Sequence, residues 1–124
     1  MIQTLLYCGF DVLCTDVSLG YPTVGVTALT PKKKMPIPVY TKIFSAKEKG
    51  FVSEDEETLN ALKFLSCHFS KNNIRAFDRG YDNNRYYGYL ISRNEKFVIR
   101  AKNNRDVIYK GNRINIMELA HKFK

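Results

Sequence analysis

A chain of 124 residues and 14.4 kDa, with 44% hydrophobic and 13% aromatic residues, holds one domain with a modest core and is not a disordered segment. No stretch reaches the length of a membrane span. Met1–Phe10 lacks the basic flank of a secretory leader, and Asp11 and Asp16 interrupt the apolar run, so a soluble cytoplasmic protein without a membrane partner is expected. The three cysteines, Cys8, Cys14 and Cys67, fit no Cys-x-x-Cys spacing, which argues for reduced thiols and against a zinc site.

Charge is informative by location. Residues 1–70 hold seven Lys+Arg against seven Asp+Glu, whereas residues 71–124 hold 13 against five, so the whole net charge of +8 lies in the second part. A neutral part followed by a basic one points to a face turned toward a polyanion. The basic residues alternate with strand-like segments and form no amphipathic helix, which disfavours a membrane surface.

In chain order, residues 1–18 carry the weakest pattern, with Val12-Leu13-Cys14 readable as a short strand leading into Asp16. Thr23–Thr30 is rich in β-branched residues and predicts a strand. Pro31–Lys34 reads as a solvated turn, and Met35–Phe44 resumes strand character. There Pro36 and Pro38 predict an edge strand or a late start near Val39. Ser53-Glu54-Asp55-Glu56 is a capping-box pattern. It opens a helix to about Ser70, with Leu59, Leu62, Leu65 and Phe69 on one face. The acids Glu54–Glu57 fit a helix first turn better than a metal site.

Ile74–Phe77 predicts a buried strand closed by Asp78. Asn83–Ser92 predicts a helix capped by Asp82 or Asn83, turning Tyr86 and Leu90 to the core with Tyr87 and Ile91 offset. Lys96–Lys102 alternates as a strand, Phe97, Ile99 and Ala101 opposite Val98, Arg100 and Lys102. Asp106–Tyr109 and Gly111–Ile114 suit a small hairpin, and Ile116–Lys122 has helical character. The order is that of an α/β domain with an antiparallel opening and a parallel continuation.

Everything is organised around Phe77–Tyr87, FDRGYDNNRYY. An acid at the carboxyl end of a strand, followed by Arg-Gly and a helix start, lies where side chains converge at an open sheet edge, and Gly80 offers room for a sharp turn. This stretch, with FVIRAKNNRDVIYKG after it, resembles the second-aspartate region of DDE-type insertion-sequence transposases, enzymes with a ribonuclease-H-like core. The likeness runs from about Gly20 to Lys124 and is most specific from Asp78 to Arg105. Ser53-Glu54 adds to it.

The resemblance implies a single partial transposase catalytic domain over residues 1–124, a ribonuclease-H-like mixed sheet with flanking helices that lacks its beginning and its end. It implies DNA as partner and Mg²⁺ or Mn²⁺ as cofactor of the intact parent, with room for a homo-oligomer there. Two-metal strand cleavage needs converging carboxylates, and Mg²⁺ favours carboxylate and water oxygens. Asp78 matches the family's second catalytic Asp and metal ligand.

The first Asp is less clear. Only Asp11 and Asp16 are available for it, and Asp16-Val17-Ser18 before Gly20-Tyr21 also resembles a later Asp-Gly-Ser segment of the family. The final Glu is expected beyond Lys124, since Glu118 comes too early and sits in no matching motif. Arg79, Arg100, Lys102 and Arg105 are the expected DNA-contacting residues, with Asn103 and Asn104 beside them. Tyr81, Tyr86, Tyr87 and Tyr89 are candidates for base stacking, although helical spacing points Tyr86 and Tyr87 to the core.

The expected function is that of a transposase fragment, inactive alone, whose parent cleaves and joins DNA strands. The alternatives are a non-catalytic basic nucleic-acid-binding module and a small complete nuclease in which Asp16, Asp78 and another acid converge, a reading that the distances among Asp16, Asp78 and Glu118 would test.

Overall fold

The computed structural model describes residues 5–12, 22–30 and 33–123, with side chains described for 22–29 and 36–123. Among them, seven strands and three α-helices form a mixed α/β fold in the order β1 (Leu5–Val12), β2 (Pro22–Thr30), β3 (Lys33–Ile43), α1 (Glu54–His68), β4 (Ile74–Phe77), a 3-10 turn (Arg79–Tyr81), α2 (Asn84–Ser92), β5 (Phe97–Ile99), β6 (Asp106–Tyr109), β7 (Asn112–Asn115) and α3 (Ile116–His121). The main sheet runs β3-β2-β1-β4-β5. Its first three strands are antiparallel, and β1, β4 and β5 are parallel. The expected antiparallel opening and parallel continuation are both present.

The strand sought at Val12-Leu13-Cys14 lies earlier. Leu5–Val12 forms β1 at the centre of the sheet, paired with Leu29–Pro22 on one side and Ile74–Phe77 on the other. A strand hydrogen-bonded on both edges tolerates an unbroken apolar run, and such a run gives no period of two to read. Leu13 and Cys14 lie outside the described residues.

β3 pairs only with β2 and is the edge strand that Pro36 and Pro38 call for. At an edge only one side of the backbone needs partners, so two missing N–H groups are tolerated. The strand starts at Lys33, well before Val39, with register shifts opposite Val26/Thr27 and Ala28/Thr30 absorbing the mismatch. Lys33 and Lys34 therefore belong to the strand and not to a turn.

Helices α1 and α2 cover one face of the sheet. Val26 and Ala28 of β2, Leu62 and Leu65 of α1, Phe77 of β4, and Tyr86 and Leu90 of α2 form the main core, with Leu59 and Phe69 packed at its margin. Val24, Phe44 and Ala61 make a second cluster, extended by Phe51 stacked on Phe44. On β5, Phe97 and Ile99 face this core while Val98 is exposed, as the alternation requires. Ile91 is corrected: it is 65% exposed and not a core residue.

Ser53 caps α1 by accepting the Glu56 N–H at 3.1 Å. The return bond of a capping box is replaced, because the Glu56 carboxylate meets Lys63 at 3.4 Å and Arg85 at 3.3 Å. Among the described residues no helix is long and apolar enough to cross a membrane.

Candidate nucleic-acid interface

β4 ends at Phe77, and Asp78 follows in extended conformation. Its Oδ1 accepts the Arg79 N–H at 2.6 Å, capping the turn Arg79–Tyr81, while the residue stays exposed. A strand-end cap and an exposed carboxylate at the sheet's carboxyl edge are thus the same residue. Gly80 is not in the left-handed region, and a Cβ there would meet nothing within 4 Å, so the turn does not need glycine to form. The bare Gly80 backbone instead helps wall a cleft of about 200 Å³ with Glu54, Asp55, Thr58, Tyr81 and Tyr86.

The β4–β5 ladder extends past both strands. The Arg100 N–H donates to the Phe77 carbonyl at 3.1 Å, which sets Arg100 beside the strand end that carries Asp78. Lys102 follows in the same segment, and its N–H donates to Asp82 Oδ2 at 2.5 Å. Of the two expected caps, Asp82 and Asn83, the structure uses Asn83, and Asp82 does not cap the next helix. Asn83 is the cap of α2, accepting the Arg85 N–H at 2.9 Å, and the Asp82 carboxylate is spent on the segment after β5.

The four expected DNA-contacting residues divide on this geometry. Arg79, Arg100 and Lys102 are exposed and enter no ion pair among the described residues. Arg105 is committed inward. Its side chain is 23% exposed, pairs with Asp82, donates from Nη1 to Asn84 Oδ1 at 2.9 Å, and lies 5.0 Å over the Tyr87 ring. Burial first, then the neighbouring Asp82 carboxylate, pushes the Tyr87 phenol above its ordinary pKa.

Beyond Arg105 the hairpin β6–β7 turns through Lys110 and Gly111, both left-handed at φ 50° and 79°. That pairing suits a two-residue turn, where Gly111 meets the conformation without strain.

The tyrosines are mostly closed to bases. Tyr81 and Tyr86 are 5% and 4% exposed within the core, and Tyr87 lies beneath Arg105. Tyr89 is half-buried, with its hydroxyl 3.1 Å from Ser66 Oγ.

The acids of α1 act as structural ties. Asp55 accepts the Tyr86 hydroxyl at 2.5 Å and Asn83 Nδ2 at 3.2 Å, and Glu57 meets Lys42 at 2.6 Å. Among the described residues no group of three His, Cys, Asp or Glu side chains is placed to hold a metal ion. Asp78 is therefore not joined there by the carboxylates a two-metal site needs. Asp16 lies outside the described residues, and Glu118 sits in the first turn of α3. The site legible here is a basic surface around one exposed carboxylate. No family model and no curated protein matches this chain.

Proposed function

We propose that this chain is a transposase-derived domain whose basic surface grips the sugar-phosphate backbone of DNA beside Asp78. One observation carries the reading. Arg79, Arg100 and Lys102, exposed and unpaired among the described residues, come from two segments that the Arg100–Phe77 bond holds together at the strand end bearing Asp78. The likeness of Asp78–Arg105 to the DDE family supports DNA as the polyanion. The order β3-β2-β1-β4-β5, antiparallel then parallel, supports a ribonuclease-H-like sheet.

Exposed guanidinium and ammonium groups bind phosphates through charge and released counterions, giving affinity and register with little sequence reading. In the parent enzyme Asp78 would serve as one ligand of Mg²⁺ or Mn²⁺. Among the described residues no further carboxylates complete such a site, and the role proposed for this chain is backbone binding. The three exposed cations support the second reading, a basic nucleic-acid-binding module, equally well.

Titrating the labelled chain with a short duplex at low salt and following its amide resonances tests the reading. Shifts should gather at Asp78–Gly80 and Arg100–Asn104. Shifts confined to α1 or β3, or none, would overturn it.

A further inference from the structure

Asp82 carries the more deeply buried carboxylate: its side chain is wholly shielded, whereas that of Glu57, the buried acid of α1, keeps about 10% of its surface. The residue is 4% exposed, its carboxylate is shut off from solvent, and a buried carboxylate persists only where partners replace its water. Those partners lie 20 and more residues away. Oδ2 accepts the Lys102 N–H, and Oδ1 faces the Arg105 guanidinium as an ion pair without the aligned N–H of a full hydrogen bond. Arg105 is braced in turn by Asn84 and the Tyr87 ring, both on α2. The Arg105 N–H closes the turn onto the Lys102 carbonyl at 3.1 Å, and its own carbonyl accepts the Ile116 N–H at 2.8 Å.

The segment Arg100–Arg105 is therefore tied at both ends to the chain flanking Asp78. Phe77, just before it, holds Arg100. Asp82, just after the 3-10 turn, holds Lys102 and Arg105. A helix cap would have needed only a local bond, and Asn83 already supplies that. Without Asp82 the loop would keep the backbone bond at Arg100, its own turn, the Arg105 side-chain bond to Asn84, and the ties of Asn103 and Arg105 to Asn115 and Ile116, but the Lys102 N–H would lose its acceptor and Arg105 its carboxylate.

We propose that Asp82 is a positioning residue, a buried latch that fixes the Lys102–Arg105 turn against the Asp78 turn and so sets where Arg100 and Lys102 stand for phosphate contact. The purpose of the latch rests on the nucleic-acid reading above, while the latch itself is a claim about the loop.

The two parts separate in one experiment on the full chain. Asp82→Asn, with wild type as reference, is read by amide hydrogen exchange and by fluorescence anisotropy with a fluorescein-labelled 20-base-pair duplex at low salt. Exchange at Lys102–Arg105 should accelerate at least about tenfold with α1 and β4 unchanged, as expected of a local opening. Affinity should fall roughly three- to tenfold through lost preorganisation, although the variant is one unit more positive and bulk electrostatics alone would tighten binding. The opposed signs separate positioning from charge.

Unchanged exchange overturns the latch. Faster exchange with equal or tighter DNA binding overturns its role in placing Arg100 and Lys102. Faster exchange in a chain whose wild type binds no DNA keeps the latch and overturns the nucleic-acid reading. Should Asp82→Asn unfold the chain, Arg105→Gln opens the latch from its more exposed side. Unchanged exchange across Asn103–Arg105 in that variant overturns the proposal equally.

Discussion

Arg75 and Glu95, each fully shielded from solvent at the side chain, face one another at 3.0 Å from Nε to Oε2, where α2 turns back into β5. The contact is an ion pair by distance, without the aligned N–H of a full hydrogen bond. Arg75 also gives Nη1 to the Asn73 carbonyl and its main-chain N–H to Lys96, each at 3.0 Å, so the pair pins the start of β5 onto β4. Removing one partner leaves a buried charge uncompensated. Glu95→Ala should therefore destabilise by about 3 kcal/mol in chemical denaturation, whereas Arg75→Met with Glu95→Leu should recover most of that loss.

The cap of α1 is a more modest contribution. Ser53→Ala removes the acceptor for the Glu56 N–H and should cost about 1 kcal/mol, with no change in the dependence of stability on denaturant.

Tyr86 should show in alkaline titration. Burial, and then the hydrogen bond to Asp55, raise its phenol well above the ordinary 10.0. A proton held more tightly in the folded state stabilises the fold fully below about pH 10, the unfolded value. That contribution is lost as pH rises through the raised folded value. Absorbance at 295 nm should show Tyr86 ionising late or only with unfolding. Tyr86→Phe should flatten the fall in stability above about pH 10 and cost about 1 kcal/mol near neutrality, for the bond to the part-exposed Asp55. An unchanged pH dependence would place the loss elsewhere.

With Mg²⁺ or Mn²⁺ the purified protein should cut duplex DNA no faster than background. A chimera that adds the acid-bearing segments of a transposase to this chain should cut. Asp78→Asn in that chimera should abolish cleavage while leaving binding nearly unchanged, since binding rests on the basic residues. Robust cutting by the chain alone would favour the small complete nuclease instead.

Legibility followed the physics of each segment. Ile74–Phe77, α1 with its Ser53 cap, and the alternation at Phe97–Ile99 were readable because local pattern and burial agree there. β1 was not, because a central strand carries no alternation, and its position depends on pairing with residues far along the chain. Arg75 hides in a strand read as apolar, and only its distant partner Glu95 makes it a core residue. At the site, sequence placed Asp78 and its basic neighbours together. It could not divide Arg105 from Arg100 and Lys102, since that depends on the carboxylate of Asp82, which local spacing leaves as one of two candidate helix caps.

The central claim is that the surface formed by the Asp78 turn and the Arg100–Asn104 segment grips DNA backbone. The most direct test is the duplex binding constant measured across salt concentrations, for wild type and for Arg100→Ala combined with Lys102→Ala. Each neutralised phosphate contributes roughly −0.9 to the log–log slope, so the double variant should be shallower by about two, uniformly across DNA sequences. Arg105→Ala should weaken binding through the loosened loop. Salt-independent binding, no binding at low salt, or a double variant with the wild-type slope would contradict the account.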